Sequence, residues 1–210
     1  MILLETGHNQ QNPGAIAYNG ITEYSCNKYI VSRVMLWLEY FGKKGVSFEG
    51  SAMQVTSIEQ NIALRESIKN INLQPNGSRF LSIHFNNNFT GATGTECFIH
   101  PNTNQYNRRR ATWMVNQVSE LIGIPVRRYN NHRDYKYPTE SFLKRLAILD
   151  QTKHPGILYE VSFLNKNDMD KVRGKENMLG LIFALGMMHN FRGGIPKFPK
   201  LDYSKLLPLK

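Results

Sequence analysis

Phe80-Leu81-Ser82-Ile83-His84 (FLSIH) is the stretch on which the fold turns. It is a short apolar run, too short for a helix, bounded by a turn and closed by a histidine, so it predicts a buried strand. The turn before it is QPNGS. Ahead of that turn, Ile58 to Ile71 has helical spacing with Leu64, Ile68 and Ile71 on one face. Behind the strand, glycine-rich GATG leads into a second buried run, Thr95 to Ile99 (TECFI).

The same alternation continues outward in both directions. Ile2 to Leu4 predicts a first strand running into Gly7-His8. Thr22 caps a helix from Glu23 to Tyr40, with Ile30, Val34, Trp37, Leu38 and Phe41 at helical spacing and Gly42 as its stop. A weak strand follows at Val46 to Phe48. Downstream, Gln105 to Ile122 predicts a helix with Met114, Val118, Leu121 and Ile122 inward. Tyr129 to Pro138 is polar and predicts a loop, and Ser141 to Asp150 a short helix broken by His154-Pro155-Gly156. Ile157 to Tyr159 is a further strand ending at Glu160, and Asn177 to Phe191 the last helix. Strands alternating with helices predict an α/β single domain, with a mixed, mainly parallel twisted sheet and helices on both faces. That domain is expected over residues 1–191, with a basic C-terminal tail over 192–210 that begins as linker-like GGIPKFPK.

Composition sets the outer limits. At 210 residues, 41% apolar and 20% charged, the chain suits a folded domain rather than a disordered one. The longest apolar-rich stretch, Met178 to Phe191, is too short to span a bilayer. The N-terminus MILLETGH has no basic region, long apolar segment or cleavage site, so no signal peptide is expected. The expectation is then synthesis in the cytoplasm with release by another route, although a processed form would look the same. The net charge of +10 implies an anionic partner, and charge alone does not choose among nucleic acid, lipid and wall polymer. Cys26 and Cys97 lack CxxC spacing, and both are expected as buried free thiols.

Four residues carry candidate chemistry: His8, Glu23, His84 and Glu160. Three fall at the carboxyl ends of predicted strands and Glu23 opens the helix after the first strand, which is the edge where open α/β sheets build ligand sites. Two imidazoles and a carboxylate are a common catalytic zinc set that leaves a fourth position for water. Such zinc lowers the pKa of bound water to about 7, and a second carboxylate can move its proton to a leaving amine. Taken singly, each residue has a plainer reading. A histidine at a strand end is usually a hydrogen-bonded loop residue, and Glu23 could simply favour the helix dipole. Glu160 is hardest to explain that way, because a carboxylate directly after a buried strand is costly unless partnered. His100, His132, His154 and His189 are expected not to be ligands; of these His132, in the polar YNNHRD segment, is the best placed to touch substrate.

At this point the ordered segments resemble a known family. Gly7-His8, Pro13-Gly14-Ala15 and Glu23, then Leu64-Arg65 through Asn70, Ser82-Ile83-His84-Phe85-Asn86, Gly94-Thr95-Glu96 and Pro155-Gly156-Ile157-Leu158-Tyr159-Glu160 with Ser162-Phe163-Leu164-Asn165-Lys166-Asn167 resemble the type-3 N-acetylmuramoyl-L-alanine amidases. The resemblance covers roughly residues 1–191 in family order. It implies that His8, Glu23 and His84 hold one Zn2+, that Glu160 is general base and acid, and that the substrate is peptidoglycan. The bond cut would join N-acetylmuramic acid to L-alanine. There are departures: the first loop reads GHNQQNPGA rather than a GHGG-type turn, Thr6 precedes Gly7 and Ser57 follows Thr56 where an aspartate or arginine is common, and EVSF stands where glycine often precedes the phenylalanine. These bear on substrate preference more than on chemistry. No helical insertion separates His84 from Glu160, so no self-blocking helix is expected. A compact amidase of this type resembles a bacteriophage endolysin, made in the host cytoplasm and acting on the wall after release. The charge suits attraction to anionic wall polymers or outer-membrane lipid, and equally a set of solvated faces plus a basic tail.

Three other readings compete. A zinc carboxypeptidase acting on stem peptides would need the same ligand types, and its products would differ. A nucleic-acid-binding protein would use Arg108-Arg109-Arg110, but no recognition motif accompanies the run, which lies early in an amphipathic helix where a solvated face is expected. A wall-binding module without activity is disfavoured by Glu160. The expected partner is peptidoglycan, with no nucleic acid and no membrane span; oligomeric state stays open.

Overall fold

A computed structural model of the chain describes residues 1–50, 57–87, 91–127 and 146–191. The loop expected at Tyr129 to Pro138, His132 within it, the first half of the helix expected from Ser141 and the tail 192–210 lie outside the described residues.

In chain order the elements are β1 (Ile2–Thr6), α1 (Glu23–Tyr40), β2 (Gly45–Glu49), α2 (Ile58–Asn72), β3 (Arg79–Asn86), β4 (Glu96–Phe98), α3 (Gln105–Ile122), α4 (Ala147–Asp150), β5 (Gly156–Phe163), α5 (Lys166–Val172) and α6 (Glu176–Met188). Among the described residues they form one sheet ordered β2-β1-β3-β5-β4, with FLSIH in its central strand. β1, β2, β3 and β5 run parallel, and β4 pairs antiparallel with β5. The mixed, mainly parallel sheet with helices on both faces is therefore present.

Sequence explains the element ends. The Thr22 side chain accepts from the Ser25 amide at the start of α1, and Ile30, Val31, Val34, Trp37 and Leu38 bury one stripe of that helix. Asn104 caps α3 in the same way, and Gly123 at φ 86 ends it.

The two faces of the sheet differ. Odd-numbered Leu81, Ile83, Phe85, Ile157, Tyr159 and Val161 pack under α1, α3 and α6 in the larger core. Their even-numbered neighbours Phe80 and Leu158 join Leu3 and Phe98 in a smaller core under α2 and α4. Along this second face the side chains turn polar toward the carboxyl end of the parallel strands. Leu3 gives way to Glu5, Phe80 to Ser82 and His84, and Leu158 to Glu160. In antiparallel β4 the same change runs from Phe98 back to Glu96.

Several expectations change. β5 continues past Glu160 to Phe163, because β3 resumes pairing with it after a register shift, Asn86 against Phe163, and the Leu164 amide donates to the Asn86 carbonyl. α5 was not legible: KNDMDKV is mostly charged and buries only Asp168, Met169 and Val172, under an Asn165 cap. The last helix stops at Met188 rather than Phe191. Phe191 instead folds back at φ 53 and is fully buried. The arginine run is not a solvated face: Arg110 is buried and donates to the carbonyls of Gly186 and His189 and to Asn107. Arg109 donates to the Phe191 carbonyl and Arg79 to those of Met188 and His189. These guanidiniums satisfy carbonyls that the end of α6 leaves open. Cys97 is buried, whereas Cys26 is only partly so, on the side of α1 that borders an apolar pocket with Ile21, Tyr29 and Met169. No described helix is long and apolar enough to cross a membrane.

Candidate active site

The candidate residues converge from four segments. β1 ends at Thr6, and His8 stands just beyond it at φ 66, a left-handed conformation uncommon for a residue with a side chain. Such strain persists where surrounding contacts over-determine it. Here Asn27 donates to the Gly7 carbonyl at 2.8 Å, and the Gly50 amide donates to the His8 carbonyl at 3.2 Å. The following loop is drawn in by Asn9, whose side chain accepts from the amides of Gln11 and Asn12, and it closes on the start of α1 through bonds from Glu23 and Tyr24 to the carbonyls of Ala15 and Pro13.

Glu23 does more than favour the helix dipole. Its Oε2 lies 3.1 Å from His8 Nε2 and its Oε1 3.2 Å from His84 Nδ1. The Ala15 amide donates to the first oxygen and the Phe85 amide to the second, so the carboxylate is held from both sides. Burial pushes the Glu23 carboxyl up, but the hydrogen bonds and charges of His8 and His84 outweigh it and leave it well below 4.5. Burial likewise opposes charge on His8, and the hydrogen bond and charge of Glu23, with the charge of Glu5, prevail and raise it above 6.5. Glu5 is itself buried and accepts from Ser82, its partner across β1 and β3.

Two glycines make the approach feasible. A Cβ on Gly7 would meet the His84 ring at 2.5 Å, and one on Gly14 would meet Glu23 Oε2 at 2.7 Å and His8 Nε2 at 2.8 Å. Gly14 also holds φ +74, which disfavours any side chain.

His84 pairs with Glu160 across β3 and β5, and Glu160 pairs with Glu96 across β5 and β4. Register partners share a face, so His84, Glu160 and Glu96 form one row across the sheet, with Gly7 abreast of His84. A cleft of about 660 Å³ opens over His84 and Glu160, lined also by His8, Asn12, Glu23, Gln60 and Asn86 among others. The structure thus brings all four candidates together. It keeps the other described histidines apart: His154 Nε2 lies on the Gln74 carbonyl, His100 faces Asp150, and His189 follows α6. Reading the sequence missed Gln60, which no local pattern marks, and the attachment of Arg127 to Glu96 at 3.0 Å, which needs the antiparallel strand to be visible.

His8, Glu23 and His84 are the group of metal-binding type among the described residues, with candidate ligand atoms within 4.8 Å of one another. The donor set suits zinc. A buried His-Glu-His group with a carboxylate alongside, at the carboxyl edge of a mostly parallel sheet, is the arrangement of a hydrolase.

Comparison with known proteins makes the class specific. The family model described as N-acetylmuramoyl-L-alanine amidase matches residues 2–181, and the chain belongs to that family. Its class is therefore that of the peptidoglycan amidases. Solved structures share the fold at low identity. The CwlD amidase from Clostridioides difficile, solved with the GerS lipoprotein, is 20% identical, with 89% of this chain and 95% of that one covered and a TM-score of 0.67. The catalytic domain of an endolysin targeting Clostridia difficile is 18% identical over 89% and 96%, with a TM-score of 0.66. An N-acetylmuramyl-L-alanine amidase from Mycobacterium smegmatis is 18% identical over 89% and 93%, at 0.63. A search of curated protein sequences finds no match.

Proposed function

We propose that the protein is a zinc-dependent N-acetylmuramoyl-L-alanine amidase that hydrolyses the amide between the lactyl group of N-acetylmuramic acid and L-alanine. His8 Nε2, Glu23 and His84 Nδ1 would hold one zinc ion, and Glu160 would be the proton carrier. The observation that carries the reading is the Glu23 carboxylate held between two imidazoles, with Glu160 abreast of His84 under the same cleft.

Bound zinc would supply a Lewis acid for the scissile carbonyl and a lowered pKa for attacking water. Glu160 takes a proton from that water as the carbon–oxygen bond forms. It returns the proton to the L-alanine nitrogen as the carbon–nitrogen bond breaks, so the peptide leaves as a neutral amine. Glu23, fixed by the Ala15 and Phe85 amides, would present its carboxylate to the metal between the two imidazoles. Gly7 and Gly14 keep the ring and the loop from being pushed apart.

The test is digestion of purified peptidoglycan with and without a chelator, followed by zinc add-back and mass analysis. Free stem peptides with an L-alanine amino terminus, lost on chelation and restored by zinc, support the proposal. Released terminal amino acids would instead mark a carboxypeptidase on the same centre. Glu160→Gln should keep bound zinc and the melting temperature while turnover drops by about 10²–10⁴-fold; near-normal turnover would remove Glu160 from the mechanism. A role in host lysis by a bacteriophage is the setting we infer, supported by the endolysin domain among the fold relatives and by the +10 charge facing anionic walls. A purified chain that does not clear wall suspensions would count against it.

A further inference from the structure

Beyond Glu160 in the row across the sheet, Glu96 is buried, two strands away from His84. Its Oε1 accepts from Arg127 Nη1 at 3.0 Å and from Asn86 Nδ2 at 2.7 Å. Arg127 is itself set by two backbone bonds around Thr95 and lies over the Phe163 ring at 5.1 Å. Asn86 stands at the end of β3 and lines the cleft with Glu160. Between the pairs His84–Glu160 and Asn86–Phe163, β5 carries one extra residue, a bulge of the kind that re-aims side chains beside active sites.

These contacts settle which way the Asn86 carboxamide points. A carboxylate oxygen accepts, so the amide presents its NH2 group to Glu96, and its Oδ1 is left for other donors. Among the described residues no donor meets that Oδ1. A polar oxygen held by its own amide at the wall of a reactive cleft is a fixed acceptor.

We propose that Asn86 Oδ1 is a substrate-binding acceptor for a peptide N–H, and that Glu96 and Arg127 are the positioning residues that keep it facing the cleft. The inference rests on the hydrolytic reading above. Glu160 lies between His84 and Glu96 in the row. A scissile carbonyl on the metal side therefore places the departing nitrogen toward Glu160 and the next amide of the stem peptide toward Asn86. The group recognised is the secondary amide N–H that follows L-alanine, so the acceptor selects a peptide on the leaving side rather than a free amino acid or a tertiary amide.

The experiment is steady-state kinetics of the zinc-loaded chain on a soluble muramoyl-peptide and on its analogue N-methylated at the amide after L-alanine. For the wild type, methylation should raise KM about five- to tenfold with kcat changed less, the size of one hydrogen bond. Asn86→Ala should show the same rise on the parent substrate and no further rise on the methylated one, because both changes delete one contact. Glu96→Gln, which still offers an accepting oxygen to Arg127 and Asn86, should stay near wild type, whereas Glu96→Ala should follow Asn86→Ala. Zinc content and melting temperature report separately on the fold. Equal sensitivity of wild type and Asn86→Ala to methylation, or an unchanged KM in Asn86→Ala, overturns the assignment of Asn86. A wild-type chain that turns over neither substrate overturns the hydrolytic reading instead.

Discussion

Replacing Gly14 with alanine separates backbone strain from damage to the candidate metal centre. The new Cβ would sit 2.7 Å from Glu23 Oε2 and 2.8 Å from His8 Nε2, whereas ordinary contact begins at 3.4 Å. Both ligand atoms would have to give by roughly 0.6 Å, about three times the spread of roughly 0.2 Å that a metal site tolerates in its bond lengths. The backbone is also at φ +74, and holding alanine there costs about 1–2 kcal/mol. Gly20 provides the control. It holds φ +83, and nothing lies within 4 Å of its Cβ position. Urea unfolding of the metal-free variants should show a loss of about 1–2 kcal/mol for Gly20→Ala, from the backbone alone, and a larger one for Gly14→Ala, whose Cβ also displaces Glu23 and His8. Titration against a competing chelator should show zinc affinity falling about 10–100-fold in Gly14→Ala and staying at the wild-type value in Gly20→Ala. If Gly14→Ala bound zinc within twofold of wild type, or if Gly20→Ala lost as much affinity, the loop would not be what sets the ligand spacing.

Two further outcomes follow from the same contacts. In the metal-free chain His8 is raised above 6.5, so its contribution to stability is complete below that value and is lost as pH rises through its folded pKa. Glu23 is lowered below 4.5, so its contribution is present above that value and is lost as pH falls through its folded pKa. The urea midpoint without metal should therefore fall as pH rises above about 6.5, while with zinc it should hold or rise, because binding needs neutral imidazoles; parallel curves would refute the coupling. Arg110→Met strands the Gly186 carbonyl and Asn107, and Arg79 still reaches the His189 carbonyl. A loss of about 2–4 kcal/mol in urea unfolding is expected, and one below about 0.5 would mean the end of α6 finds other donors.

Much of the fold was open to reading because the parallel strands are short apolar runs between well-capped helices. Thr22 and Gly42 mark the two ends of α1 by local chemistry that needs no tertiary knowledge. The convergence of His8, His84 and Glu160 was legible for a related reason: parallel strands deliver their ends to one edge. What stayed hidden depended on partners distant in sequence. The extension of β5 beyond Glu160 needs the irregular pairing with Asn86 of β3, the burial of Arg110 needs the carbonyls at the end of α6, and α5 is too charged and too short to show a stripe. Glu23 shows both sides, since its place at a helix start has a sufficient local explanation that conceals its contacts with two histidines.

The row from Gly7 through His84 and Glu160 to Glu96 makes the centre sensitive to parity. Inserting one residue in β5 ahead of Glu160 could leave the sheet fully paired, yet Glu160 would move to the face covered by α1 and α6. Inserting two would return it to the correct face but displace it along the strand by about 6.6 Å, out of line with His84. Among natural variants of this chain, length changes should therefore gather in the turns, because an odd-length change within β5 would both misplace Glu160 and bury its carboxylate in the larger core.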